Sequence, residues 1–212
     1  MNFEQLLALV GDQPLFETSL LLAGEVNPDY LRLQISRWVR AGRLIQLRRG
    51  LYALAPPYQK VKPHPFVIAN RLRAASYVSL QSALAFYGLI PEVTPQTWSV
   101  TGGRPGEWET PLGGFHYRHI QPALLRGYRL LEVGHAQQAY VAAPEKALLD
   151  LVYLQPGGDS PEYLASLRLQ NLETLDPQEL RRQAAHFDTP KMARAVENII
   201  ALQQAESEYE AL

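Results

Sequence analysis

The opening residues place apolar side chains at Phe3, Leu6, Leu7 and Val10. That three-and-four spacing predicts an amphipathic helix over 2–10, stopped by Gly11. Pro14 to Ala23 predicts a second, shorter helix ending at Gly24. The third is better marked: Asn27 is an N-cap, Pro28 takes the first helical position with Asp29 beside it, and Gly42 closes the segment. The period then changes. Arg43-Leu44-Ile45-Gln46-Leu47 and Leu51-Tyr52-Ala53-Leu54 are short extended runs separated by Arg48-Arg49-Gly50, which predicts a β-hairpin. Three helices followed by a hairpin is the element order of a winged helix-turn-helix.

The segment from Ala55 to Pro65 holds four prolines in eleven residues, which removes backbone donors and forbids a continuing helix or central strand. It predicts a linker between a winged helix-turn-helix over 1–57 and a second domain over 64–212. In the second region Pro65 to Ala75 and Ser79 to Tyr87 predict helices, the latter capped by Ser79 and stopped by Gly88. Gln96–Thr101, Gly114–His119, Tyr128–Val133 and Ala139–Ala142 predict strands, and Pro144–Leu154 a helix. Ser160-Pro161, Asp176-Pro177 and Thr189-Pro190 each set a capping side chain before a proline, and Asp176 with Glu179 has capping-box spacing. The predicted class is therefore α+β: a winged helix-turn-helix, then a mixed-sheet domain to about residue 155, then a helical segment over 156–212.

Composition narrows the chemistry. Of 212 residues, 47% are hydrophobic and 19% charged, enough apolar material for a core and too little charge for a disordered chain. With no cysteine, disulfides, thiolate zinc sites, iron–sulfur clusters and cysteine nucleophiles are excluded. The first residues carry Glu4 and only a five-residue apolar run, so neither a signal peptide nor a membrane span is expected, and the cytoplasm is the default address.

The near-neutral total, 20 basic against 21 acidic residues, hides a segregation. Between Tyr30 and Lys62 there are eight basic residues and no acidic one, whereas from Pro144 onward twelve acidic residues face six basic ones. One end attracts a polyanion and the other repels it. At 100° per residue, Leu31, Ile35, Trp38 and Val39 share the core side of the third helix, and the opposite face presents Asp29, Leu33, Ser36, Arg37 and Arg40. Arginine bonds guanine bidentately or clamps phosphate, and serine donates to either. Ser36, Arg37 and Arg40 are therefore the candidate base readers. Arg43 follows directly, and Arg48 and Arg49 at the hairpin tip are the candidate phosphate clamps.

No enzyme chemistry stands out, and neither a metal nor a cofactor is expected. His116 and His119, three apart on a strand, point to opposite faces and do not chelate one ion. Gly102-Gly103-Arg104-Pro105-Gly106 lacks the lysine and following helix of a phosphate-cradling loop and predicts a turn. Glu145 and Asp150 lie five apart on a helix and do not converge. Asp150, amid Leu148, Leu149, Leu151 and Val152, needs a partner; Arg71 or Arg73 is the expected one.

The run from Ile35 to Leu54, ISRWVRAGRLIQLRRGLYAL, resembles the end of the N-terminal winged helix of AbiEi-type antitoxins, in which a basic helix end precedes Gly-Arg-Leu and the wing closes on Arg-Gly-x-Tyr-Ala. Tyr77-Val78-Ser79-Leu80-Gln81-Ser82-Ala83-Leu84 with Gly88-Leu89-Ile90, and Pro144-Glu145-Lys146-Ala147-Leu148-Leu149-Asp150, are similar to that family's C-terminal domain. The resemblance spans about residues 14 to 154; Lys146-Ala147 departs from it, arginine and threonine being more usual there. It implies a two-gene abortive-infection or toxin–antitoxin module. The N-terminal domain would bind promoter DNA and repress its own operon, and the C-terminal domain would neutralise a nucleotidyltransferase-like toxin, indirectly or by contact. Repressors of this type read repeats, so a dimer on DNA is expected. The alternative is a ligand-responsive winged-helix transcription regulator whose second domain is the sensor.

Overall fold

Asn2 caps the first helix, α1 (Phe3–Val10), in a capping box with Gln5, and Leu6 and Val10 turn inward. The chain is described by a computed structural model that covers residues 1–22, 27–91 and 95–210. The predicted second helix is largely replaced: Phe16–Glu17 is a strand, β1, and only Thr18–Leu21 is helical, α2. Ala23 and Gly24 lie outside the described residues. Pairing decides this change, because Phe16 and Glu17 sit opposite Tyr52 and Leu51 and local helix propensity yields to the strand ladder. The third helix, α3 (Pro28–Arg40), is as expected. Asn27 Oδ1 accepts the backbone N–H groups of Asp29 and Tyr30, and Gly42 takes the left-handed conformation beyond the helix end.

Strands β2 (Leu44–Arg48) and β3 (Leu51–Leu54) form the hairpin, turning at Gly50 with φ +84°. β1 joins on the other side of β3, so the sheet order is β1-β3-β2. This helix–strand–helix–helix–hairpin order with a three-stranded sheet is the winged-helix arrangement. Leu31, Ile35 and Trp38 of α3 pack with Leu6, Val10, Phe16 and Leu21 over Leu44, Tyr52 and Leu54.

Every residue of β3 is buried. Alternation explains how: Tyr52 and Leu54 face the three helices, and Leu51 and Ala53 face the other way. That second face belongs to the core of the following region, where Leu51, Ala53 and Leu47 pack in one cluster with Ile68, Ala69 and Leu72. The proline segment therefore joins two units that share a core. It is itself tied down: Gln137 donates from Nε2 to the Lys62 carbonyl and accepts the His64 N–H.

Helix α4 (Pro65–Leu72) is shorter than predicted. Ala75 has φ +53°, and Ser76–Val78 becomes a strand, β4, that sequence periodicity did not mark. After α5 (Leu80–Phe86) come β5 (Gln96–Thr101), β6 (Gly106–Thr110), β7 (Gly113–His119), β8 (Tyr128–Glu132) and β9 (Gln138–Ala142). β6 was not expected; the glycine-rich turn leads into it. The six strands form one mixed sheet in the order β6-β7-β5-β4-β9-β8, with β5·β7 and β4·β9 parallel and the other pairs antiparallel. Tyr77 pairs Val100, which pairs Arg118, so Tyr77 and Tyr117 point to opposite faces. Tyr117 donates to the Ala69 carbonyl of α4, whereas Tyr77 donates to Asp150 of α6 (Pro144–Leu154). The sheet is thus covered by α4 on one face and by α6 on the other.

Helices α7 (Pro161–Ser166), α8 (Pro177–Ala184) and α9 (Pro190–Glu210) complete the chain. Ser160, Asp176 and Thr189 cap them as expected. The Asp176–Glu179 capping box does not close. The Asp176 N–H is taken by Glu145 Oε1, which frees Glu179 to accept from Arg182 and Gln183. The architecture is mixed α+β, and no helix among the described residues is long and apolar enough to cross a membrane.

Candidate nucleic-acid interface

Once Leu31, Ile35 and Trp38 are fixed inward, helix geometry decides what α3 shows to its surroundings. Tyr30, Leu33, Arg37 and Arg40 recur at intervals of three and four and form one outward stripe; the two apolar members are 51% and 48% exposed. Arg37 and Arg40 are exposed, and Ser36 beside them is half-buried. Asp29, the acid on the face of α3 expected to read bases, is turned along the helix to Arg32 at 2.9 Å. No carboxylate among the described residues lies within ion-pair distance of Arg37, Arg40, Arg43 or Arg49.

Arg43 leaves the end of α3 and sets its guanidinium 5.0 Å from the centre of the Phe3 ring. A cation over an aromatic face keeps its outer edge open for an anion. Tyr30 was not among the expected surface residues, although its place three before Leu33 and seven before Arg37 puts it on their stripe. Leu33 and Tyr30 bring apolar surface suited to a thymine methyl on the N-terminal side of the two arginines.

The hairpin tip differs from expectation in one residue. The ladder is regular from Leu44↔Leu54 to Gln46↔Tyr52 and then slips, so that Arg48 pairs Leu51 and Leu47 is the extra residue. A bulge turns two successive side chains toward the same side. Leu47 enters the shared core, and Arg48 follows it, donating to the Arg71 carbonyl at 3.2 Å and approaching Glu17 at 3.5 Å. Arg48, expected beside Arg49 as a phosphate clamp, is therefore tied as a joint between the wing and α4. Arg49 stays exposed at the turn.

The two arginines should consequently separate in experiment. Replacing Arg49 by alanine is expected to weaken binding to every duplex about equally and to flatten the dependence of log K on log salt by ~0.9. Replacing Arg48 should leave that slope unchanged and cost ~1 kcal/mol of stability, through the lost hydrogen bond to Arg71. Salt titrations of DNA binding and urea melts of the two variants check this; equal slope changes would show that Arg48 also reaches the backbone.

Elsewhere the residues flagged by sequence are held internally. His116 stacks on Trp98 at 4.5 Å, and His119 Nδ1 contacts the Gly103 carbonyl at 2.8 Å on the other side of the strand. Asp150 is fully buried, and its partner is Lys146, one turn earlier on α6, not Arg71 or Arg73. Ser79 Oγ at 2.8 Å and Tyr77 Oη at 3.0 Å donate to its second oxygen. Ser79 thus stands at the N-cap position of α5 without capping it. Arg73 lies instead 4.9 Å from the centre of the Trp108 ring. Burial pushes the Asp150 carboxyl up and the Lys146 ammonium down from their ordinary ranges, and their mutual attraction opposes both shifts. With Asp150 0% and Lys146 1% exposed, no substrate reaches this pair; it is a staple.

No family model matches the chain, and no curated protein matches it. The surface of α3 and the internal geometry carry the functional reading.

Proposed function

We propose that this chain is a DNA-binding autorepressor that acts as the antitoxin of a two-gene module, in the cytoplasm, with the winged unit reading its own promoter and the second domain countering a nucleotidyltransferase-like toxin. The observation that carries the DNA-binding half is the outward stripe of α3, where Arg37 and Arg40 stand exposed with no carboxylate within ion-pair distance among the described residues. A groove-reading helix needs its bidentate donors uncommitted before DNA arrives. The winged-helix order and the β1-β3-β2 sheet support the same reading. In it Ser36, Arg37 and Arg40 contact bases, and Arg43 and Arg49 contact phosphates.

The antitoxin half rests on the resemblance of three sequence runs to AbiEi-type antitoxins. Two of those runs meet in space: Tyr77 and Ser79 from the first bond Asp150 from the second, beside Lys146. Side chains 71 and 73 positions apart in the chain that build one buried knot belong to a single folding unit, which is what a shared domain requires.

The test has two arms. In a gel shift at about 0.1–0.15 M salt, the DNA upstream of the chain's own reading frame should bind at least ~10³-fold more tightly than unrelated duplex; equal affinity would reject promoter reading. Co-expression with the adjacent reading frame should restore growth that the adjacent product alone arrests. Arrest without rescue would reject the antitoxin role.

A further inference from the structure

Away from α3, positive charge concentrates in a cleft of about 420 Å³ at the edge of the six-stranded sheet. Three arginines supply it: Arg126 precedes β8, Arg129 lies in it and Arg182 belongs to α8, and the His186 ring on the short 3-10 turn that follows borders the cleft. Glu179 is the one carboxylate among the described residues of the wall, and it is already engaged. Arg182 grips it with two bonds of 2.7 Å and Gln183 donates a third of 2.7 Å. The Gln183 bond, together with the Arg182 guanidinium, holds the Glu179 carboxyl below its usual range, so it stays ionised and occupied.

Arg126 and Arg129 have no carboxylate within ion-pair distance among the described residues. Arg126 points Nη1 at the His186 ring, 3.2 Å from Nδ1, and its charge also bears on Lys146, disfavouring that ammonium. Lys146 is just behind the wall: its Cγ lies 3.0 Å from where a side chain on Gly127 would begin. Asp150 is already committed to Lys146. The N-cap residue of α6, Ala143, lines the same cleft, but the first turn of that helix carries Glu145, so the arginines and not the helix end supply the field. Like charges gathered in a concavity repel one another and focus their field into it. A multivalent anion relieves both.

We infer that this cleft binds the phosphate group of a small phosphorylated ligand. Two guanidinium forks and an imidazole arriving from different elements present donors on several sides, which suits a tetrahedral oxyanion better than a planar carboxylate. The Tyr128 ring stands at the rim, 40% exposed, stacked on Tyr77 at 4.7 Å and in a T-shaped contact with Tyr140 at 5.6 Å; its exposed part offers apolar contact for the organic part of such a ligand. A phosphate from DNA backbone would offer the same chemistry. The segment from Pro144 onward carries twelve acidic against six basic residues, a balance that disfavours a long polyanion.

Isothermal titration of the full chain at low ionic strength, with inorganic phosphate and with adenosine 5′-monophosphate, tests the inference and does not depend on DNA binding. Saturable one-to-one binding of at least one probe is expected, with Kd of about 1 mM or tighter. Arg126→Ala with Arg129→Ala should weaken it at least about tenfold while the melting temperature holds, and Arg104→Ala, an exposed arginine outside the cleft, should leave it unchanged. Absence of saturable binding, or an equal loss in Arg104→Ala, overturns the proposal. The double variant should also bind duplex with an unaltered salt slope; a slope shallower by ~0.9 per arginine would assign the cleft to the DNA backbone and overturn the small-ligand reading.

Discussion

Lys146→Met should destabilise the chain by about 3–5 kcal/mol, because it leaves the Asp150 carboxylate at 0% exposure without its counter-charge. For a domain assembly of this size ~1 kcal/mol shifts the melting temperature by ~2–4 °C, so a fall of about 6–20 °C is expected. The partners set the pattern across a small series. Asp150→Asn keeps an oxygen for Tyr77 and Ser79 but strands the ammonium among the rings of Tyr77 and Phe187, whose centres lie 5.6 and 5.0 Å from Nζ. The double change Lys146→Met with Asp150→Leu removes both charges and should recover part of the loss. It cannot recover all of it, since two buried hydroxyls lose their acceptor at ~1–3 kcal/mol each. Urea melts of the three variants measure this. A cost below about 1 kcal/mol for Lys146→Met would show that water or another carboxylate already serves Asp150, and the staple would be the wrong description.

Arg37→Ala combined with Arg40→Ala should abolish promoter preference while leaving the fold intact. Each bidentate arginine contact to a base discriminates by ~1–3 kcal/mol, so removing both lowers specific affinity by about 30-fold or more. Binding to unrelated duplex should fall far less, because it depends on phosphate contacts elsewhere. Both side chains are exposed, so thermal stability should stay within ~0.5 kcal/mol of the parent. Competition gel shifts with specific and random duplex give the ratio directly. If specific and random affinities drop together and the salt slope shallows, the two arginines hold phosphates and the reading of bases lies with Ser36, Leu33 or Tyr30.

Much of the fold could be read from local chemistry. Asn27-Pro28, Ser160-Pro161 and Asp176-Pro177 start their helices where the caps place them, because an N-cap bond and a fixed proline φ act over three residues and need nothing distant. The inward set Leu31, Ile35 and Trp38 follows from the 3.6-residue period, and the exposed arginines follow from that set. Two of the missed strands share a cause, whereas β6 is five residues long and was hidden by the glycine-rich turn that leads into it. β1 and β4 are two and three residues long, too short to show alternation, and exist only because Leu51–Tyr52 and Val100 offer a ladder. Glu179 leaves its expected capping box because Glu145, thirty-four residues earlier in the chain, supplies the bond instead.

Asp150 is a different case, at a candidate site. Its neighbours showed that it would be buried and would need a cation, but the expected partner was Arg71 or Arg73; Lys146, four residues earlier on the same helix, was overlooked although i,i+4 spacing sets it on the same face. Arg48 is the counterpart at the wing. The apolar run Leu51-Tyr52-Ala53-Leu54 contained the signal, since a strand with no polar position is covered on both faces; a winged unit with a solvated sheet would alternate.

By itself, then, the sequence determined most helix starts, the hairpin, the α+β class, the core face of α3 and the segregation of charge, all set by bonds and periodicities within a few residues. Tertiary structure alone decided that the wing docks on α4, that a bulge turns Arg48 into that joint and leaves Arg49 outside, and that Arg126, Arg129, Arg182 and His186 converge. Those outcomes depend on which distant surfaces exclude water from one another, and that is a property of the folded chain as a whole.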